Sequence, residues 1–253
     1  MKDILSRIEE IKSSGKNAAL CIIVKTTGSS PRKTGTKMIV FEDRSVDGTI
    51  GGGSLEMKVI EDALATINTK QAQKFNYELE EDLSMNCGGY AEVYIEPILQ
   101  KDKLVIFGAG HIGKALTRYA PDFGFNILLI DHRHNILNSE SFSGINSINK
   151  DYIEALNEVE FDQNSFVVIV TPKHAYDEAI LEKVAKFDCA YIGMIGSKTK
   201  VAKARKRMLE ENILTESELD KVDMPIGIKF NAQTPEEIAI SILAKLIDVK
   251  NSN

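Results

Sequence analysis

Cysteine is scarce in this chain of 253 residues: only Cys21, Cys87 and Cys189 occur, with no paired spacing among them. That excludes a disulfide framework and a structural zinc site, both of which need regularly spaced thiols, and no metal is expected. Long apolar runs are missing too. The longest stretches, such as Ala18–Val24 and Phe125–Ile130, fall far short of the roughly 20 residues that a bilayer-spanning helix requires. Met1–Gly15 has the pattern of a charged amphipathic helix instead of a basic start followed by an apolar run, which argues against a signal peptide and for the cytoplasm. Positive charge is nowhere concentrated. The formal net charge of −6 is spread over both halves, with no basic stripe for nucleic acid and no polybasic cluster for a membrane surface. Histidine is absent from the first 100 residues, so His111, His132, His134 and His174 all fall in the remainder.

What is present follows two rhythms. In the first, Ile4, Leu5, Ile8 and Ile11 recur at helical spacing, with Asp3 as the N-cap and Gly15 as the stop. Strands are predicted at Ala18–Lys25 and Thr36–Phe41, around Phe75–Leu79 and at Glu92–Ile98, with Asp47-Gly48 as a hairpin-type turn. One long helix follows Gly51-Gly52-Gly53-Ser54, with Leu55, Val59, Ala63, Leu64 and Ile67 on one face. These make a smaller α+β domain over residues 1–100, and the Lys101-Asp102-Lys103 triplet marks its end.

From residue 101 to 253 strands and helices alternate. Strands are predicted at Leu104–Phe107, Asn126–Ile130, Gly144–Ile148, Ser165–Val170 and Ala190–Ile195. The intervening helices run from the Gly108–Gly113 turn through Tyr119, then Tyr152–Val159, Tyr176–Lys186, Thr199–Glu210 and Pro235–Val249. Continuous apolar strands that alternate with helices imply a parallel sheet covered on both faces. The fold class is α/β, with a Rossmann-type doubly wound parallel sheet in the C-terminal domain.

Gly108-Ala109-Gly110-His111-Ile112-Gly113 follows a predicted strand and opens a predicted helix, the context in which G-x-G-x-x-G has meaning. Gly108 permits the tight turn, Gly110 lets the backbone approach a pyrophosphate, and Gly113 allows close packing of helix on strand. The helix N-terminus then offers free amides and a partial positive charge. Asp131 ends the second strand 18 residues after Gly113, where an acid accepts from a ribose hydroxyl.

All four histidines fall just past predicted strand ends, the edge where open α/β sheets bind ligands. His174 and Asp177 stand one helical turn apart and are candidates to act together on a ligand, with His111 beside them as a binding candidate. His132 and His134 read first as residues of a solvated loop. Gly196-Ser197-Lys198 is either an anion site or a helix cap before a basic face. In the first domain, Gly28-Ser29-Ser30-Pro31-Arg32 and Gly51-Gly52-Gly53 cost chain entropy that close approach to an anion would justify. Two tight turns with Ser54 as N-cap explain them equally. Cys87, between Asn86 and a Gly-Gly pair, is either an inert loop cysteine or a thiol whose thiolate the loop amides stabilise.

Taken in order, Thr27-Gly28-Ser29-Ser30-Pro31-Arg32, Gly51-Gly52-Gly53-Ser54-Leu55-Glu56, Cys87-Gly88-Gly89 and Gly108-Ala109-Gly110-His111 are more specific than any one alone. Ile192-Gly193-Met194-Ile195-Gly196-Ser197-Lys198, Pro225-Ile226-Gly227 and Thr234-Pro235-Glu236-Glu237-Ile238-Ala239 complete the string. It resembles the XdhC/CoxI family of maturation factors for xanthine dehydrogenase and related molybdenum hydroxylases, over nearly the whole chain. The resemblance implies a cofactor-binding chaperone, often dimeric. Such a protein binds molybdenum cofactor (molybdopterin), assists its sulfuration with a cysteine desulfurase and delivers it to the hydroxylase apo-enzyme. It carries Cys87 onto the family's Cys-Gly-Gly motif, and the glycine loops and His111 onto motif positions. Two departures stand out. Ser54 replaces a cysteine found in many relatives, and Thr171-Pro172-Lys173-His174 replaces a Thr-His-Asp-like segment, with Asp177 kept. The competing expectation is an NAD(P)-dependent oxidoreductase that uses the Rossmann turn directly, with His174 as acid/base.

Overall fold

A computed structural model describes residues 4–13, 16–28, 32–78 and 89–252. The chain divides into two compact units, Met1–Lys101 and Asp102–Asn253. The first is built on a sheet of β1 (Ala18–Thr27), β2 (Lys37–Phe41), β3 (Val46–Gly48), β4 (Gln73–Glu78) and β5 (Tyr90–Ile98), in the order β3-β2-β1-β5-β4, with every neighbouring pair antiparallel. Side chains alternate across a strand, so the sheet has two apolar faces. Cys21, Ile23, Val93 and Ile95 meet Leu55, Val59, Ala63 and Ile67 of α2 (Gly53–Thr69) on one. Leu20, Ile39 and Ile98 meet Ile11 of α1 (Ile4–Ser13) on the other.

Asp47-Gly48 is not the hairpin turn. The chain reverses at residues 42–45, where the Arg44 amide donates to the Phe41 carbonyl and Arg44 itself takes φ +68°. Asp43 fixes that turn by accepting from the Ser45 amide at 2.9 Å. Gly48 lies in edge strand β3 at φ +88°, and a Cβ there would stand 2.9 Å from the Lys37 carbonyl oxygen. The glycine serves close approach to the neighbouring strand, a use that turn statistics do not separate from a hairpin signal. Asp3 and Gly15, the expected ends of the first helix, lie outside the described residues.

The second unit holds a sheet of β6 (Lys103–Phe107), β7 (Asn126–Ile130), β8 (Asn146–Ile148), β9 (Ser165–Ile169), β10 (Tyr191–Met194) and β11 (Val222–Asp223). Its order is β11-β10-β9-β6-β7-β8, all parallel. Counted within the unit this is 3-2-1-4-5-6, the order of the doubly wound dinucleotide-binding sheet, which reverses direction between β6 and β9. Leu104, Ile106, Phe166 and Val168 face one core, with α3 (His111–Tyr119) and α9 (Pro235–Ser252). Val105, Phe107, Val167 and Ile169 face the other, with α6 (His174–Val184) and α7 (Lys198–Glu210). Burial on both faces is why these strands read as unbroken apolar runs. Short helices α4 (His134–Leu137), α5 (Tyr152–Ala155) and α8 (Glu216–Asp220) complete the connections.

Helix α6 begins at His174, two residues before the predicted start, and α8 and β11 are additions to the predicted elements. The signal for α8 is nonetheless local: Thr215 and Glu218 form a capping box, Thr215 N donating to Glu218 at 2.7 Å and Glu218 N to the Thr215 hydroxyl at 3.3 Å. No described helix is long and apolar enough to cross a membrane.

Candidate functional site

The turn after β6 stands at the sheet's switch point, and its three glycines have different reasons to be glycine. Gly108 has φ +114°, and a Cβ on it would lie 2.5 Å from the Val170 carbonyl oxygen. A Cβ on Gly113 would lie 2.0 Å from the carbonyl oxygen of Gly108. Both distances are shorter than atoms tolerate, so the fold itself demands these two. Gly110 differs. Its φ of −72° and ψ of −170° suit any residue, and a Cβ there would meet nothing within 4 Å. Among the described residues nothing explains that glycine.

Gly110 opens onto a cavity of about 690 Å³. Gly110 is the N-cap of α3 and offers no side-chain cap, so the first-turn amides are without intrahelical acceptors. His111, Lys114 and Arg133 add cationic or titratable groups to the wall, Asn135, Ser139 and Ser141 add neutral polar ones, and Ile112, Ile136, Phe142, Val170, Pro172 and Pro235 make the apolar part. His111 and Lys114 are exposed. An apolar wall with one cationic, amide-rich corner suits a ligand that has an anionic end.

Asp131, the residue directly after β7, is 0% exposed and all its acceptor capacity goes to protein donors. Oδ1 accepts from Arg133 N and Nε, both at 2.9 Å. Oδ2 accepts from Ala109 N at 2.8 Å, Arg133 Nη2 at 2.7 Å and the Tyr152 hydroxyl at 3.1 Å. Burial pushes this carboxyl up, but the hydrogen bonds from Arg133 and Ala109 outweigh it and hold the group at about 2. The same site pushes the Tyr152 phenol up, through burial first and the Asp131 charge second. A carboxylate with five protein donors has no lone pair left for the ribose hydroxyl expected of it. The turn and the end of β7 are instead tied together through it. Sequence reasoning missed Arg133, Lys114 and Tyr152; only Arg133, two positions past the strand-ending acid, left a usable signal.

His174 and Asp177 do come together, with His174 Nδ1 3.6 Å from Asp177 Oδ2, but they do not line the Gly110 cavity. Asp177 Oδ1 accepts from the Thr171 amide at 3.0 Å and the Thr171 hydroxyl at 2.6 Å, fixing the loop after β9. Burial pushes the Asp177 carboxyl up, opposed by the Thr171 hydrogen bonds and by His174. His174 Nε2 lies 3.1 Å from Glu178, which Arg207 also grips at 2.6 Å. Asp177→Ala is expected to lower stability by about 2 kcal/mol, because two buried donors lose their acceptor. Thermal unfolding checks this, and an unchanged midpoint would contradict it. His132 and His134 are exposed. His132 packs edge-on against Tyr152, with ring centroids 5.2 Å apart, and His134 bonds Asn149 and Asn138 at 2.9 and 2.7 Å.

Gly196, Ser197 and Lys198 form the start of α7, where the Ser197 hydroxyl accepts from Lys200 N at 3.3 Å, so the serine is a cap. A Cβ on Gly196 would stand 2.9 Å from Val201 Cγ2, which gives this glycine a packing reason. In the first unit Gly28 has φ +70°, and Gly51, Gly52 and Gly53 have φ of +140°, +77° and +63°. Ser54 is not the cap of α2. Gly52 holds that position, and its amide donates to Glu56 at 3.1 Å while the Gly51 amide donates to the Thr49 hydroxyl at 3.2 Å. A carboxylate of the chain thus sits where an anion would bind. Arg32 is exposed, and Cys87, Ser29 and Ser30 lie outside the described residues. Among the described residues no cluster of three or more His, Cys, Asp or Glu side chains is arranged to hold a metal.

Residues 104–246 match the XdhC Rossmann domain, and residues 11–78 match the model of the XdhC and CoxI family. The chain belongs to the XdhC and CoxI family. This XdhC-family chain is 30% identical over 256 residues to the uncharacterized protein YqeB of Escherichia coli K12, covering 99% of itself and 47% of that protein. It is 29% identical over 159 residues to a probable xanthine dehydrogenase subunit of Bacillus subtilis, covering 62% of itself and 46% of the relative. It thus spans about half the length of these two relatives. The molybdenum cofactor insertion chaperone PaoD of E. coli is 21% identical over 282 residues, covering 98% of this chain and 88% of that one. A crystal structure of a Bacillus halodurans protein described as a xanthine dehydrogenase aligns with a TM-score of 0.55 at 22% identity, over 98% of this chain and 96% of that one, a likeness of fold.

Proposed function

We propose that this XdhC-family protein is a maturation factor for molybdenum hydroxylases that receives the molybdenum cofactor by its phosphate-bearing end in the cavity at Gly110. The observation that carries the reading is Gly110 itself, a glycine that backbone conformation and packing leave unexplained and that borders a cavity with Lys114, Arg133 and His111 on its wall. A phosphate brought against bare amides at the start of α3 makes charge-assisted hydrogen bonds that a side chain at Gly110 would block. The apolar wall suits a pterin. Similarity to an insertion chaperone supports the same role. In this reading the protein acts in the cytoplasm as a homodimer, takes sulfur from a cysteine desulfurase for the bound cofactor, and passes the product to the apo-enzyme, with Cys87 as the thiol at the sulfuration step.

Co-expression with molybdopterin biosynthesis, anaerobic purification and mass spectrometry of the released small molecule tests the proposal. Molybdopterin at a substantial fraction of one per chain is the expected result, and a protein free of pterin would refute it. Cys87→Ser is expected to bind the cofactor normally and to lower the rate at which an apo-hydroxylase gains activity by about tenfold or more, on the scale of losing a positioned reacting group. A wild-type maturation rate would remove Cys87 from the reaction. The second reading, an NAD(P)-dependent oxidoreductase, draws on the 3-2-1-4-5-6 strand order. Against it, Asp131 has no acceptor capacity left for a ribose and His174 does not line the cavity. The same mass spectrum would reveal a nicotinamide nucleotide.

A further inference from the structure

Where a nucleotide-binding sheet presents an acceptor at the end of its second strand, this one presents a cation. In such sheets the strand-ending acid takes a ribose hydroxyl, and an arginine nearby accommodates a phosphate on that ribose. Asp131 is enclosed and committed, whereas Arg133 keeps 31% of its side-chain surface and lines the Gly110 cavity. Its guanidinium is gripped along one edge, Nε on Oδ1 at 2.9 Å and Nη2 on Oδ2 at 2.7 Å, a fork that fixes both position and plane. Oδ2 also accepts from Ala109 N at 2.8 Å, so guanidinium and glycine turn meet on a single oxygen and are held in register. Taken alone, the Asp131–Arg133 pair is neutral. The clamp supplies orientation, while the attraction for an anion comes from Lys114 on the same wall and from the N-terminus of α3.

We infer that Arg133, positioned by Asp131, is a specificity-determining residue that receives a phosphomonoester at the end of β7, so that the cavity selects a phosphate there over free hydroxyls. The inference deepens the proposed function and rests on it for the identity of the ligand. A phosphomonoester at that place has two sources, a phosphorylated pterin or a nucleotide phosphorylated on its ribose, and two probe pairs separate them. The first pair is adenosine 2′,5′-bisphosphate against AMP. The second is the fluorescent oxidation product of molybdopterin before and after phosphatase treatment.

With the full chain, titration calorimetry for the nucleotides and fluorescence anisotropy for the pterins should show at least about tenfold tighter binding of the phosphorylated member in one pair. The pair that discriminates identifies the source. In Arg133→Gln that preference should fall to within about threefold, and Arg133→Lys, which retains a charge for Asp131 but not the fork, should lie between. If thermal unfolding shows that Arg133→Gln fails to fold, Arg133→Lys decides. Absence of preference in both pairs, absence of binding by every probe, or an undiminished preference in either folded variant would overturn the inference. Molybdopterin retained on purification, with a pterin pair that discriminates as strongly in folded Arg133→Gln as in the wild type, would sink this inference and leave the proposed function standing. A discriminating nucleotide pair with no pterin retained would do the reverse.

Discussion

Gly110→Val is expected to lose at least about 100-fold in affinity for the phosphate-bearing ligand while the second unit stays folded. The backbone at Gly110 is extended and its Cβ direction is open, so valine fits without strain. Its effect on stability should be about 1 kcal/mol or less, the difference between a good and a poor N-cap residue. Gly113→Ala is the contrasting control. One methyl group there meets the Gly108 carbonyl oxygen, a backbone atom, at 2.0 Å, and relief requires moving the helix away from the strand. That displacement should cost about 3 kcal/mol or more, a large part of a typical domain's stability. Circular dichroism melts and cofactor retention, measured on both variants, separate the two effects. If Gly110→Val keeps wild-type affinity, the turn is structural and the proposed binding site falls. If Gly113→Ala melts like the wild type, the close packing assigned to that glycine is incorrect.

The second large effect lies at Asp131. Asp131→Ala removes the acceptor for the Ala109 amide, the Tyr152 hydroxyl and the inner edge of Arg133. A loss of about 3 kcal/mol is expected, the lower end for breaking a buried pair, because the Arg133 side chain reaches solvent. The wild-type carboxyl is held at about 2, below its value in an unfolded chain. Its contribution is therefore complete above about pH 4 and lost as pH falls from about 4 through about 2, a change on the order of 2 kcal/mol. In Asp131→Asn this part of the acid-unfolding profile should be missing. Urea midpoints between about pH 2.5 and about pH 6 for both proteins give the comparison, and parallel acid limbs would show that Asp131 is not held low by its partners.

Much of the second unit is legible in the sequence because its signals are local. The predicted strand Asn126–Ile130 matches β7 to the residue, and the predicted helix end at Tyr119 matches that of α3. Short continuous apolar runs between amphipathic helices arise when a strand is covered on both faces. The first unit is harder, since its glycines have uses that the sequence does not separate. Gly48 permits close approach to β2 and not a reversal, and Gly52 caps α2, where a Ser54 cap and an anion-binding loop explained the sequence equally. In both places a contact made by the backbone decided the outcome.

The candidate site divides in the same way. The order of residues along the chain determined that a glycine turn would join the first strand of a parallel sheet to a helix start, since spacing and burial period are properties of neighbouring residues. It equally determined the family, through motifs spread over the whole length. Tertiary structure alone decided which turn glycine the fold does not require, because the demand on Gly108 comes from Val170, far along the chain, and none reaches Gly110. It alone decided, too, that Asp131 is a brace and Arg133 the group on the cavity wall. A buried carboxylate takes whatever donors the packing brings to it, and Tyr152, 21 residues further on, is not visible from a pattern of neighbours.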